Sequence, residues 1–543
     1  MLWAYHLAML QSGENPVVDF YRKLTDKTFS GLYQANAFDI AVMIPYFLVL
    51  VILATYGLHR YWLVYYYFKY RRNVPGPLPP VESWPKVTIQ LPIFNERYVI
   101  ERLVEAVAHF DYPREQLDIQ VLDDSTDETR EVASACVERW RALGVPVSHH
   151  HRTNREGYKA GALQEGMKSA TGEFITIFDA DFIPPADFLR RTIPYLAADP
   201  QVAMVQGRWT YLNRDYSALT EVESILLDGH FVVEHGGRSR RGTFFNFNGT
   251  AGVWRRTAIE DAGGWEHDTL TEDTDLSYRA QLKGWKFLYL PGIECPSELP
   301  IEMNAFKAQQ ARWAKGLIQV SKKILPRVLR SSQPLHIKAE ACLHLTANIS
   351  YPLMILLSTM LLPAMIVRFY QGWFQMLVID LPLFLASTFS ISTFYLVAQR
   401  ELHPKTWKRT ILYLPFVMAT GIGLAVRNSL AVMEAIVGKK SEFARTPKYH
   451  IEERKDTFLA KTYRNRAGVL PYVEILLGLY FAATVIYAIQ NENYVTVPFL
   501  LLFVGGYLYT GTMSLAQSWL ERLRFVVRAP VEARPAATGA PSF

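Results

Sequence analysis

Cysteine is scarce in this chain: only Cys136, Cys295 and Cys342 occur in 543 residues. Their number is odd and their spacing fits neither a disulfide framework nor a zinc site. Three free thiols facing a reducing compartment are expected. No tract rich in lysine and arginine carries interleaved aromatics, which argues against a nucleic-acid partner. The first ten residues are apolar but lack a basic start and a small-residue cleavage pattern, so no removable signal peptide is expected there. Charged side chains are few, 20% against 50% hydrophobic ones, and the net charge is a modest +6.

The apolar residues are concentrated. Residues 1–37 are mixed. Residues 38–67 form a run long enough to cross a bilayer, and Lys69, Arg71 and Arg72 after it mark a cytoplasmic end. Pro75, Pro77, Pro79 and Pro80 make an extended linker. Residues 85–300 have the composition of a water-soluble enzyme, and 301–335 read as amphipathic interface helices. Two further spans fall within 344–397, at 344–368 and 373–397, and two more within 467–515, at 467–489 and 493–515. The segment 410–437 is interrupted by Arg427, Asn428 and Glu434 and is basic on both flanks, which predicts a re-entrant or interfacial helix. Five spans then place the N-terminus outside and the enzyme and the 516–543 tail in the cytoplasm, at a bacterial plasma membrane or a eukaryotic endomembrane.

Between the linker and residue 300 the pattern alternates. Strands are expected at 87–94, 118–124, 145–151 and 174–181, with helices at 97–110 and from the second strand through Trp140. Such βαβ units give a parallel sheet with ligands bound beyond the carboxyl ends of its strands. The fold class is therefore α/β plus membrane α-helical, the α/β enzyme being inserted between transmembrane helices.

Acidic residues fall at those strand ends. Asp179 and Asp181 follow FITIF, and two carboxylates so spaced supply hard oxygen ligands for Mg²⁺ or Mn²⁺; a solvated loop or helix cap is the plainer alternative. Asp123 and Asp124 follow IQVL, where a carboxylate can accept from a base or ribose, or simply cap the next helix. Thr271-Glu272-Asp273 opens a helix, with Asp273 either a cap or a general base. Gln309, Arg312 and Trp313 share one helical face; Arg312 can bind phosphate and Trp313 can stack on a sugar, or both can anchor to lipid headgroups.

Their order resembles the inverting family 2 glycosyltransferases of GT-A fold, within the cellulose synthase superfamily. PIFNE (92–96), LDDSTD, RTNREGYKAGAL (152–163), FDADF, TED and QQARW carry the resemblance across about residues 85–450. The wording is closest to the cellulose-synthase-like A mannan and glucomannan synthases, through FNFNGTAGVWR (245–255), AGGW and LKGWKFLYL. The resemblance implies a processive enzyme that polymerises a β-linked mannan, glucomannan or glucan from GDP-mannose or UDP-glucose and passes it across the bilayer. By the same resemblance Asp124, Asp179, Lys159, Asn95 and Glu96 hold the nucleotide sugar, and Asp181 with Asp179 holds the metal. Asp273, beside Glu272, is the base, and Gln309, Arg312 and Trp313 line the acceptor and diphosphate site. FNGTAG (247–252) would form the acceptor floor, and Tyr351, Phe384 and Tyr395 could line a polymer path. Residues 438–460 match the family's gating loop at Phe443, Thr446 and Lys448, with Arg445 where valine is usual. No PilZ-like domain is expected in the short tail. The alternative is a non-processive enzyme that adds one sugar to a lipid.

Overall fold

The computed structural model describes residues 37–369, 381–439, 446–452, 455–456 and 468–528. Seven strands form one sheet: β1 (Val87–Ile93), β2 (Leu117–Asp123), β3 (Val147–His151), β4 (Phe174–Ile177), β5 (Val202–Tyr211), β6 (Gly252–Arg255) and β7 (Lys286–Ser297). Their order is β3-β2-β1-β4-β6-β5-β7. The first four run parallel, as do β5 and β7, while β6 is antiparallel to both of its neighbours. This is a GT-A-like mixed sheet. β1 is buried at every position, as a strand covered on both faces must be, which is why it reads as a continuous apolar run.

Register sets the site. Ile93 pairs with Asp123, so β1 and β2 end level, and β4 ends one strand over at Ile177. The carboxyl ends of three parallel strands therefore share one edge. Two expected strands are shorter than their apolar runs. β3 starts at Val147 because Pro146 has no N–H to give the ladder. β4 stops at Ile177, not 181, because the Asp179 N–H leaves the ladder and donates to Thr250 Oγ1 at 2.9 Å. The metal-candidate carboxylates thus sit on a turn beyond the strand.

Twelve helices matter below: α1 (Ala37–Lys69), α2 (Tyr158–Ser169), α3 (Ala218–Gly229), α4 (Glu272–Leu282), α5 (Met303–Arg330), α6 (Leu335–Thr346), α7 (Ser350–Phe369), α8 (Leu381–Leu402), α9 (Thr410–Gly423), α10 (Ala425–Ile436), α11 (Leu470–Gln490) and α12 (Val497–Arg528). Four stretches among the described residues are long and apolar enough to cross a membrane: Asp39–Lys69, Leu335–Val367, Leu470–Gln490 and Val497–Trp519. α9 and α10 form a pair bent by 41°, a broken span or a re-entrant loop, so four to five crossings are possible. The span expected at 373–397 begins outside the described residues. Its described part, α8, is not among the four. Residues 1–36 also lie outside.

α5 joins the sheet domain to the apolar helices. Its Lys307 donates to Glu474 of α11 at 2.6 Å and to Ser514 of α12 at 3.0 Å. Lys315 pairs with Glu434 of α10 at 2.8 Å. Lys322 donates to the Ala435 and Ile436 carbonyls, satisfying acceptors that the end of α10 leaves free. From the same helix Lys323 reaches the other way, to Glu266, Asp268 and Asp275 beside and within α4.

Candidate active site

Beyond the strand ends lies an open cleft. Glu96, Asp124, Lys159, Asp179, Asp181, Glu272, Asp273, Gln309, Arg312, Trp313, Thr446 and Lys448 all line it. Groups spread over more than three hundred residues of sequence meet there because the strand ends, the N-terminus of α4 and one face of α5 share a wall.

The two neighbouring aspartates after β2 separate cleanly. Asp123 turns inward, fully buried, and accepts from His149 Nε2 at 2.9 Å and the Ser125 N–H at 2.8 Å. Burial works against its charge, but those hydrogen bonds hold its carboxyl below the usual range. Asp124 turns to the cleft and takes the Arg152 guanidinium in a two-point pair at 2.6 and 2.7 Å. Arg152 also donates to the Tyr158 carbonyl at the start of α2.

Each aspartate of the Asp179–Asp181 turn faces an ammonium. Lys159, in the first turn of α2, reaches Asp179 Oδ1 at 2.5 Å and the Gly249 carbonyl at 2.9 Å. Burial opposes the charge of Lys159, but Asp179, Glu272 and Asp273 outweigh it and raise its pKa. Lys448 reaches Asp181 Oδ2 at 2.7 Å and the Glu298 carbonyl at 2.6 Å. Gly249 closes this corner with φ of +79°; a Cβ there would lie 3.1 Å from Asp273 Oδ2. The FNGTAG segment needs glycine for both reasons.

Asp273 stands at the start of α4, with Oδ1 accepting from the Thr274 N–H at 2.6 Å. Burial, and then the charge of Glu272, push its carboxyl up to about 7, with Lys159 pulling the other way. A carboxylate that takes up a proton near neutrality suits general-base work. Burial also raises Glu272. Arg312 faces Glu272, Asp179 and Asp181 from α5, and their charges offset the burial that lowers its pKa.

Two expected residues do not join the others. Asn95 does not line the cleft: its Oδ1 accepts from the Thr126 N–H at 2.9 Å and its own N–H donates to Ser125 Oγ, which locks the β1 and β2 end loops together. Phe443 lies outside the described residues. Arg155 and Trp209 line the cleft without having been expected there, while Asn248 belongs to the expected FNGTAG floor. Arg155 packs over the Phe94 ring at 3.3 Å. Trp209 extends from β5, and Asn248 accompanies Gly249. Arg155 and Asn248 stood inside motifs already recognised; nothing local distinguishes Trp209 from a core aromatic.

A second cavity lies beside the first, among the apolar helices. The two share Trp209, Asn248, Thr271, Asp273 and Trp313. Tyr56 and Arg60 of α1, Tyr351 of α7, Tyr395 of α8, Gly421 of α9 and Phe503 of α12 are among its walls. The side chain of Phe384 lies outside the described residues.

Residues 85–316 match the family described as Glycosyltransferase like family 2. The chain is 47% identical over 273 residues to glucomannan 4-beta-mannosyltransferase 1 of Oryza sativa subsp. japonica, covering 48% of this chain and 52% of that one. It is 45% identical over 255 residues to glucomannan 4-beta-mannosyltransferase 2 of Arabidopsis thaliana, covering 46% and 48%. The match thus spans about half the length of these curated relatives. A solved mannosyltransferase from Pyrobaculum calidifontis, in complex with GDP-Man and Mn²⁺, is 22% identical with a TM-score of 0.47, over 72% of this chain and 99% of that one.

Proposed function

We propose that this chain is a processive, inverting β-glycosyltransferase that polymerises a β-1,4-linked mannan or glucomannan from a nucleotide sugar and carries the product across a membrane. GDP-mannose is the favoured donor, since the relatives are named as mannosyltransferases, with UDP-glucose as a second. The observation that carries the reading is the second cavity. It shares Asp273 and Trp313 with the cleft, so product formed beside Asp273 lies next to a cavity within the helix bundle.

In this reading the sheet edge and α4 hold donor and acceptor in line. Asp124, fixed by Arg152, receives the nucleoside, with Arg155 and Phe94 alongside. Asp179 and Asp181 fit a divalent cation, Mg²⁺ or Mn²⁺: two hard oxygen donors on one turn, both turned into the cleft. Such an ion, when bound, supplies positive charge against the leaving diphosphate. Arg312 and Lys159 add fixed positive charge at the same place. Asp273 takes the proton from the acceptor hydroxyl, and Trp313, at the junction of the two cavities, stacks on the acceptor sugar. Thr446 and Lys448 close the donor side. A cytoplasmic catalytic domain and C-terminal tail are part of this reading, which the basic flanks of the apolar helices support.

Purified protein incubated with each labelled nucleotide sugar and Mg²⁺ or Mn²⁺ tests this. A long product cut by mannanase supports it; a single sugar on an extracted lipid, with no polymer, replaces it by the lipid-acceptor reading.

A further inference from the structure

Two carboxylates on the Asp179–Asp181 turn meet two ammonium groups, Lys159 on Asp179 at 2.5 Å and Lys448 on Asp181 at 2.7 Å. The turn is therefore already neutral. A divalent cation arriving alone would add two charges to a half-buried site whose other carboxylates, Glu272 and Asp273, already face Lys159 and Arg312. Desolvated positive charges at ion-pair distance repel strongly. One ammonium has to leave, or new anions have to come in with the metal.

The two lysines are held differently. Lys159 is built into α2 and is anchored also on the Gly249 carbonyl within the catalytic floor. Lys448 also rests on a backbone carbonyl, that of Glu298, but it comes from a segment outside the sheet, far along the chain. That segment docks through a short set of contacts. The Tyr449 N–H donates to Glu298 Oε1 at 2.7 Å, Tyr449 Oη donates to Glu302 at 3.2 Å, and Arg102 pairs with Glu452 at 2.8 Å. Ile451 is buried with Tyr449 against Ile301. The Lys448 side chain is only 7% exposed and has Asp181 as its carboxylate partner.

We propose that Lys448 is a resident counter-ion of the metal site: its ammonium occupies the charge position on Asp181 that a divalent cation takes, and the cation binds tightly only together with a nucleoside diphosphate. The diphosphate brings the negative charge that both the metal and the displaced ammonium require. Metal without donor is thereby refused, and metal and donor bind cooperatively. This rests on the reading of Asp179 and Asp181 as metal ligands and adds to it a role for Lys448 before donor arrives.

The test is a titration of Mn²⁺ alone, followed by free-Mn²⁺ paramagnetic resonance, on the full chain in detergent with and without GDP. Lys448→Met should bind Mn²⁺ about tenfold more tightly than wild type in the absence of GDP, a change of about 1.4 kcal/mol. The enhancement that GDP gives should shrink by a similar factor. Lys448→Arg, which keeps the charge, should stay close to wild type. Asp181→Asn should lose the site in either background. Unchanged Mn²⁺ affinity in Lys448→Met, with loss in Asp181→Asn, overturns the counter-ion role alone. Affinity unchanged in both overturns the metal site as well. Tightening in Lys448→Arg equal to that in Lys448→Met also overturns the proposal.

Discussion

Gly316 of α5 lies directly against Thr271, so close that a Cβ on the glycine would sit 2.5 Å from Thr271 Cγ2 and 2.9 Å from its backbone nitrogen. Thr271 precedes Glu272 and Asp273, and Gly316 lies one turn along from Arg312 and Trp313. Glu272 and Asp273 are thus held in register with Arg312 and Trp313 by a contact that admits no methyl group.

Gly316→Ala should therefore push Asp273 away from the acceptor position. Overpacking of this kind costs about 1–3 kcal/mol. Turnover should fall more than the thermal midpoint does, because the shift acts on the N-terminus of α4. Steady-state kinetics beside a melting curve separate the two. Full turnover in a folded Gly316→Ala protein would show that the contact does not position the base.

Asp273, raised to about 7 by burial and by Glu272, should give a pH limb. A base must be deprotonated to act, so kcat/KM should fall with unit slope as pH drops below about 7 and level off above it. Asp273→Asn should remove this limb and lower turnover by about 10²–10⁴ while donor still binds. A profile flat from pH 5 to 8 would assign the proton to another group.

Glu223 of α3 is buried at 1% exposure, and neither carboxylate oxygen has a hydrogen-bond partner among the described residues. Burial raises its pKa well above the ordinary value, against the charge of Lys448. The folded chain keeps this proton when an unfolded carboxylate, with pKa about 4.3, has lost it. Folded stability should therefore decline as pH climbs above that value toward the raised pKa. Glu223→Gln should flatten the dependence, so that its thermal midpoint exceeds wild type at pH 8 by more than at pH 5. Equal differences at both pH values would mean that Glu223 is ionised in the fold.

Much of the site could be read from the sequence because parallel strands put their carboxyl ends on one edge. Once β1, β2 and β4 are recognised as short apolar runs, Asp124, Asp179 and the loop after Ile93 have to be neighbours. Other features depend on partners that are remote in the chain. Asp123 and Asp124 are adjacent, and only His149 and Arg152 decide which turns inward. Asn95 carries the look of a binding residue, yet its amide is engaged by Thr126. The 174–181 run is apolar enough for a long strand, but Thr250 draws the Asp179 N–H out of the ladder. The crossing of β6 between β4 and β5 leaves no mark in its four residues. The pairing of Lys448 with Asp181 joins positions whose separation no local pattern bridges.

Product that leaves through the second cavity has to pass Gly421. This glycine lines that cavity, and a Cβ there would have open space around it. Gly421→Trp therefore fills the path without disturbing the cleft. The measurement is the length distribution of labelled product from donor, alongside the rate of donor hydrolysis. Polymer should collapse to short oligosaccharides while hydrolysis continues. Polymer of wild-type length from Gly421→Trp would contradict exit through that cavity.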